Sequence, residues 1–471
     1  MADFTEFSGM LQTTTSSFVR RPNQLLRAIN VNGDEIGSIT KRLGYAEYGT
    51  TVQTTAISGL SDYNDVSGGN RYLVRYVNGT LEYSTGGAWT TIQGSLLANA
   101  KVKFAVFLDT LFGCGANSAN TFLTTFGIDG TSYSTATNLT DAPKAKYVEL
   151  YKDRLYLANV EVGGSWYPDR FYFSSVPTAG SITWTGTDFE RVYTDNGEEI
   201  MGLHTNKVIN ELLIFKVNSL HSYDTYRLRD CGDVGTTSGD SIQTINGITY
   251  FFNENGISAY DGTIPKTISR PIQKWIDGID QTKLGDVFSE AFDKKYYKLY
   301  VGNIAVDGKV YYNCEIRFST VDNTWTIYSY ADDFQCYAIH TVSGVTRVYA
   351  GDDSGNVMKL ADKDDTVYSD NGTAISAEFM FETNLGVPSE RKFIDKALIY
   401  ATNPQNLKGR IRVKGRDWST YFDIEKDEYE VNVNPEDGRF LQWHFSESST
   451  VNPFIFQGVS FQPHLSTKYI A

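Results

Sequence analysis

Five segments of the chain share one plan: an aromatic or aliphatic stretch, a polar reversal containing glycine, and a second apolar stretch. They are YLVRYVNGTLEYSTGGAWTTI (72–92), FLTTFGIDGTSYSTA (122–136), ITYFFNENGISAYDGTI (248–264), YVGNIAVDGKVYYNCEI (300–316) and RVYAGDDSGNVMKL (347–360). Asn-Gly and Asp-Gly suit the type I′ turn, whose two central residues both take positive φ. Between alternating apolar residues they are the strongest short-range signal for a β-hairpin. A chain punctuated this way folds as meanders of short strands, not as helices.

Further stretches extend the series. KYVELYKDRLYLANVEV (146–162) leads to DRFYFSSVPTAGSITWT (169–185), and INELLIFKVNSLHSYDTY (209–226) reverses at Asn218-Ser219. Together they make seven units near 51–93, 98–142, 145–192, 199–232, 239–268, 286–330 and 334–366. Units of roughly 30–50 residues with about four strands each predict β-propeller blades. The expected fold is all-β: a propeller of about seven blades, six to eight by this reading, over 46–368. Residues 269–285, SRPIQKWIDGIDQTKLG, predict a short helical insertion capped by Ser269 and closed at Asp277-Gly278. Longer alternating strands over 374–471 predict a C-terminal β-sandwich of jelly-roll or similar type. Residues 1–45 read as an N-terminal arm that docks elsewhere or supplies a closing strand to the ring.

The 471 residues are 41% hydrophobic, enough for a large core, and 58 of them are Tyr or Phe. A net charge of −14 argues against a chain that works by neutralising phosphate. The four cysteines lack a CxxC pair and read as buried free thiols of a protein made in a cytoplasm. The N-terminal residues have no charged region followed by an apolar core, so no signal peptide is expected. No apolar run approaches ~18 residues, so no spanning helix is expected.

Glycoside hydrolysis needs two carboxyls ~5–10 Å apart, and the chain carries several paired acids. Glu198-Glu199, Asp332-Asp333, Asp352-Asp353 and Asp364-Asp365 are adjacent in turn-like settings. Consecutive strand residues point to opposite faces, so these read as solvated turn acids. GDDSGNV (351–357) lacks the ligand ladder and terminal Glu of a calcium loop and reads as another hairpin. FSTVDNTWTIYS (318–329) departs from the sialidase Asp-box in spacing and lacks its Gly. Trp325, Trp89 and Trp184 are expected to anchor outer strands by packing. His204, His221, His340, His444 and His464 form no HxH or HExxH spacing. No catalytic residue, metal ligand or cofactor is expected.

One row of charge is sharper. In KGRIRVKGR, Lys408, Arg410, Arg412, Lys414 and Arg416 share one parity and would project from one strand face, with Ile411 and Val413 opposite. Asp423, Glu425 and Asp427 share a parity in the next strand. Antiparallel pairing across DWST would set the two rows side by side, as a charge ladder that also guards an edge. The other reading of the row is an electrostatic patch that docks an acidic partner subunit.

Three stretches carry a resemblance in order and layout. NQLLRAINVNGDEIGSITKRLGYAEYG (23–49) runs into a Lys-Arg-x-Gly-Tyr turn; DRFYFSSVPTAGSITWT and ELLIFKVNSLHSYD look like blade segments. GDDSGNVMKLADKDDTVYSDNGTAISAEFMFETNLG (351–386) looks like a junction from last blade to C-terminal domain. Together they resemble the tail hub or nozzle propeller proteins of short-tailed bacteriophages. The resemblance implies a non-enzymatic virion protein made in the host bacterial cytoplasm. It implies a homo-oligomer, a ring of six copies below the portal and adaptor proteins, adjoining tail fibres or tail tip. Genomic DNA would pass through its lumen without specific binding, since an acidic wall repels phosphate. Two alternatives from other classes are a carbohydrate-active propeller, such as a depolymerase, and a lectin-like receptor-binding module.

Overall fold

The computed structural model describes residues 2–4, 7, 10–13, 24–33, 37–50, 53–65, 69–129, 136–178, 180–193, 197–383, 392–433 and 438–465. They are all-β, with the helical turns confined to 239–241 and 270–286. No helix among them is long and apolar enough to cross a membrane.

Short reversals set the architecture. Five separate four-stranded antiparallel meanders span 57–93, 101–138, 144–191, 200–232 and 243–267, each with its strands in chain order. A sixth meander spans 288–329. In the seventh, three strands from 334–360 take their fourth from far upstream: Tyr45–Glu47 pairs antiparallel with Val357–Leu360. Asn78-Gly79, Asn246-Gly247, Asp307-Gly308 and Asn371-Gly372 all hold positive φ at both residues, as their sequence predicts. The ENGI segment differs: its reversal centres on Glu254-Asn255, with Asn253 paired to Gly256. Gly130 of the Ile-Asp-Gly segment lies outside the described residues.

The first strands of the meanders pack on one another. Ile57–Asp65 lies against Lys101–Phe107, that strand against Lys144–Tyr151, and that one against Ile200–Asn206. The turn Gly239–Ser241 then touches both Ile200–Asn206 and Phe288–Phe292. Phe288–Phe292 packs on Phe334–Val342, which returns to Ile57–Asp65. The seam between seventh and first meanders is polar as well as apolar. Arg75 donates to the Gly355 carbonyl in the GDDSGNV turn (2.8 Å), and His340 Nδ1 lies 2.6 Å from Asp62. Between neighbours, aromatic side chains fill the gaps: Tyr156, Phe171 and Tyr223 between third and fourth, Phe288, Tyr300, Phe334 and Tyr337 between sixth and seventh. Each fully buried large apolar side chain contributes about 1.5–3 kcal/mol.

The helical insertion lies between fifth and sixth meanders as 3-10 turns around Gln273–Ile276, with Trp275 buried. Ser269 stands at its N-cap position, as expected, but its side chain makes no capping hydrogen bond. The hydroxyl instead accepts the Ile257 N–H (3.0 Å), so it ties the insertion to the fifth meander, and Asp280 caps the following 3-10 turn.

Beyond residue 373 two sheets face each other. One carries Thr373–Thr383, Leu441–Ser449 and Lys408–Val413; the other carries Lys396–Thr402, Ile455–Phe461 and Glu428–Asn432. Phe379, Phe381, Trp443, Phe445, Phe454 and Phe456 fill the space between them. Residues of the N-terminal arm enter both sheets. Gln24–Ile29 pairs antiparallel with Thr373–Thr383 and bridges to Ile327 of the sixth meander, whose sheet it thereby continues. Ile39–Lys41 joins Ile455–Phe461. The arm therefore laces the C-terminal sheets to the sixth and seventh meanders.

Candidate functional site

A space lies where the first strands converge. It is a cavity of about 310 Å³, with Lys103, Tyr147, Glu149, Asp240, Glu290 and Tyr337 among its walls. Two lysines reach across from the second meander. Lys103 pairs with Asp240, which precedes the fifth meander, and Lys101 with Asp286 (2.7 Å), which precedes the sixth. Burial, then the neighbouring Lys101, lowers the Lys103 ammonium to about 8. Burial raises the carboxyls of Glu149 and Glu290 to about 7, despite the Thr205 N–H that Glu149 accepts and the Ala291 N–H that Glu290 accepts.

Apart from Asp364, the adjacent acids of the sequence each accept a hydrogen bond or ion pair, where solvated turn acids were expected. Glu198 accepts from Asn218, while Glu199 accepts from Lys146 and Asn159. Asp332 accepts the Tyr45 hydroxyl and Asp333 the Tyr300 hydroxyl. Asp352 takes the backbone N–H groups of Ser354 and Asn356 and the Asn356 amide, so it fixes its own turn from within. Asp365 accepts Arg347 (2.7 Å). Among the described residues no group of three or more His, Cys, Asp or Glu side chains is placed to hold a metal ion. The cysteines are free thiols, three buried and Cys336 half-buried. Trp325 stacks on Phe318 of its own sheet (4.3 Å), Trp89 lies under Arg75 and beside Tyr48, and Trp184 packs against the second and third meanders.

The basic row is split by the register. Lys408–Val413 pairs along its length with Leu441–Ser449, and its other edge meets only Phe422–Asp423. Lys408 therefore meets Asp423 (3.7 Å), but Glu425 and Asp427 do not face the row. The strand after them, Glu428–Asn432, crosses to the other sheet and pairs with Lys396–Thr402, which removes the expected ladder. Lys414 reaches Glu382 (3.4 Å), and Lys414 and Arg416 lie in the turn beyond the strand. Arg410 and Arg412 lie against the ring of Trp418 at 4.7 and 4.3 Å from its centre. Sequence reasoning passed over Trp418 and Tyr421; the signal was two aromatics directly after a run of alternating arginines.

The junction is centred on Arg42. Its guanidinium is buried, donates to both oxygens of Asp370 (2.8 and 2.6 Å), and lies over the ring of Tyr330. Nearby Lys41 is buried against Glu447 (2.6 Å). These pairs pin the arm to the linker at Asp370 and to the last long strands of the chain. No family model matches this chain, and no curated protein aligns with it.

Proposed function

We propose that the seven meanders are the blades of a β-propeller, that the two facing sheets form a C-terminal β-sandwich, and that the chain is a structural component of a bacteriophage tail. In this reading it is not an enzyme. Copies form a ring, six by the resemblance, below portal and adaptor proteins; the ring continues the DNA-ejection channel and anchors fibres or the tail tip. The observation that carries it is the lacing of residues 24–47 through the C-terminal sheets and the sixth and seventh meanders. Such interlocking makes one mechanical unit of parts that would otherwise hinge, which a load-bearing ring requires. The lysine ties across the central cavity support a further point: DNA would run through a lumen between copies, not through the middle of one chain. A chain of net charge −14 would line that lumen with repulsion toward phosphate.

Mixing the purified chain with its portal and adaptor tests this. A six-fold ring in negative-stain images is expected; a chain that stays monomeric beside the complex overturns the reading. A second reading rests on one observation, the two carboxyls near 7 in the central cavity, which suit a carbohydrate-active propeller. Release of reducing ends from host surface polysaccharide would favour it over the structural one.

A further inference from the structure

A second space lies at the junction of the N-terminal strand Gln24–Ile29, the helical turn Gln273–Ile276 and the strand Lys408–Val413. It is a cleft of about 340 Å³. Its walls carry Arg27, Lys274, Arg410 and Arg412, with His444 and Gln442 behind the last two.

The two arginines from Lys408–Val413 are built in alike. Arg410 Nε donates to His444 Nδ1 (3.2 Å), so the His444 proton sits on Nε2, facing Glu378 (3.3 Å). Arg412 Nε donates to Gln442 Oε1 (2.7 Å), whose amide donates to Glu382 (2.8 Å). His444 and Gln442 are buried, so both chains of hydrogen bonds are fixed. Trp418 supports both guanidinium planes, and Tyr421 supports that of Arg410 as well (4.7 Å). Each arginine is thus held at Nε and across one face. Among the described residues the Nη groups of both have no acceptor, though these are the fork that binds oxyanions bidentately.

The surrounding charge is unbalanced. Asp307 meets Arg27 (3.7 Å) and Lys274 (2.5 Å), and Glu378 meets Arg27 (3.7 Å). Four cations therefore line the cleft beside one carboxylate on its walls, Asp307, while Glu378, which also pairs with Lys309, and Glu382, which pairs with Lys414, stand behind them. Burial, then the charges of Arg410 and Arg27, lowers the pKa of Arg412 in spite of the opposing charge of Glu382. Trp275, on the same wall and 1% exposed, has an indole N–H without an acceptor among the described residues.

We propose that this cleft is a binding site for a compact oxyanion, phosphate or a small carboxylate, gripped by the Nη groups of Arg410 and Arg412. Its size falls at the low end of small-ligand sites, which span roughly 300–1,000 Å³, and leaves no room for a nucleic-acid duplex. The site stands whether or not the chain belongs to a tail.

Calorimetric titration of the full chain in chloride buffer, with inorganic phosphate in one arm and citrate in the other, tests it. Saturable binding is expected in at least one arm, and the arm that binds identifies the oxyanion's source. Arg410→Gln and Arg412→Gln should each weaken it about tenfold or more, the loss of one charge-assisted fork. Lys396→Gln, at an exposed lysine paired with Glu430, should leave it unchanged. Should either glutamine variant melt early, Arg410→Lys keeps the charge but not the fork, and should weaken binding in the folded chain. Absence of saturation in both arms by about 10 mM overturns the proposal. So does binding that persists undiminished in the arginine variants.

Discussion

Gly44, between Leu43 and Tyr45 of the Lys-Arg-x-Gly-Tyr turn, lies so close to the main chain of Ser369 that a Cβ there would overlap its carbonyl. Backbone cannot yield as a flexible side chain does. Gly44→Ala is expected to destabilise the chain by about 1–3 kcal/mol, the usual range for overpacking, read as a lower denaturant midpoint. The same turn holds the buried Arg42–Asp370 pair, and removal of one partner from such a pair costs about 3–5 kcal/mol. A different residue-scale test uses pH. Glu149 and Glu290 titrate near 7 in the folded chain but near ~4.3 when unfolded. Between those values the unfolded chain binds fewer protons, so their burial lowers stability as pH rises, and the loss levels off above about 7. Glu149→Gln and Glu290→Gln should therefore raise the melting temperature more at pH 8 than at pH 5; equal shifts at both would contradict the assignment.

Strands and turns were the most legible scale. Each Asn-Gly or Asp-Gly at 78–79, 246–247, 307–308 and 371–372 forms a reversal because its residues tolerate positive φ. Leu108-Asp109, Lys152-Asp153 and Asp293-Lys294 reverse with positive φ and no glycine, and left no mark in the sequence. There the register of the flanking strands imposes the turn, an instance of tertiary pairing overriding local preference. The basic row failed for a related reason. Parity told which residues share a face, but not which of two sheets would claim Glu428–Asn432. The reading of the N-terminal arm as a closing strand agrees with Tyr45–Glu47 edging the seventh meander, but local pattern did not tell which residues, some three hundred positions downstream, that strand would meet. Tyr45 is the anchor of that strand: fully buried, edge-on to Tyr330 and Phe334, with its hydroxyl on Asp332. Tyr45→Ala is expected to cost about 3–5 kcal/mol, as for other large aromatic truncations. Amide hydrogen exchange should quicken at Val357–Leu360 first. Uniform quickening across all seven meanders would mean that the strand is not a local clasp.

At the scale of the molecule, closure depends on the seam and on the arm. The seam is held by Arg75 on the Gly355 carbonyl and by His340 on Asp62; the arm ties the seventh meander to sheets that begin after residue 373. A body braced in this way, with most of its adjacent acids engaged in hydrogen bonds and ion pairs, suits the proposed role of a part that carries load within a larger assembly. The most direct test is a map of the intact tailed particle in which this chain is located by a fused label. The account predicts density for the chain in a ring around the tail axis, directly below the portal and adaptor, with its acidic surface lining the lumen. A particle that lacks the chain, or carries it only as isolated copies at the tips of fibres, would contradict it.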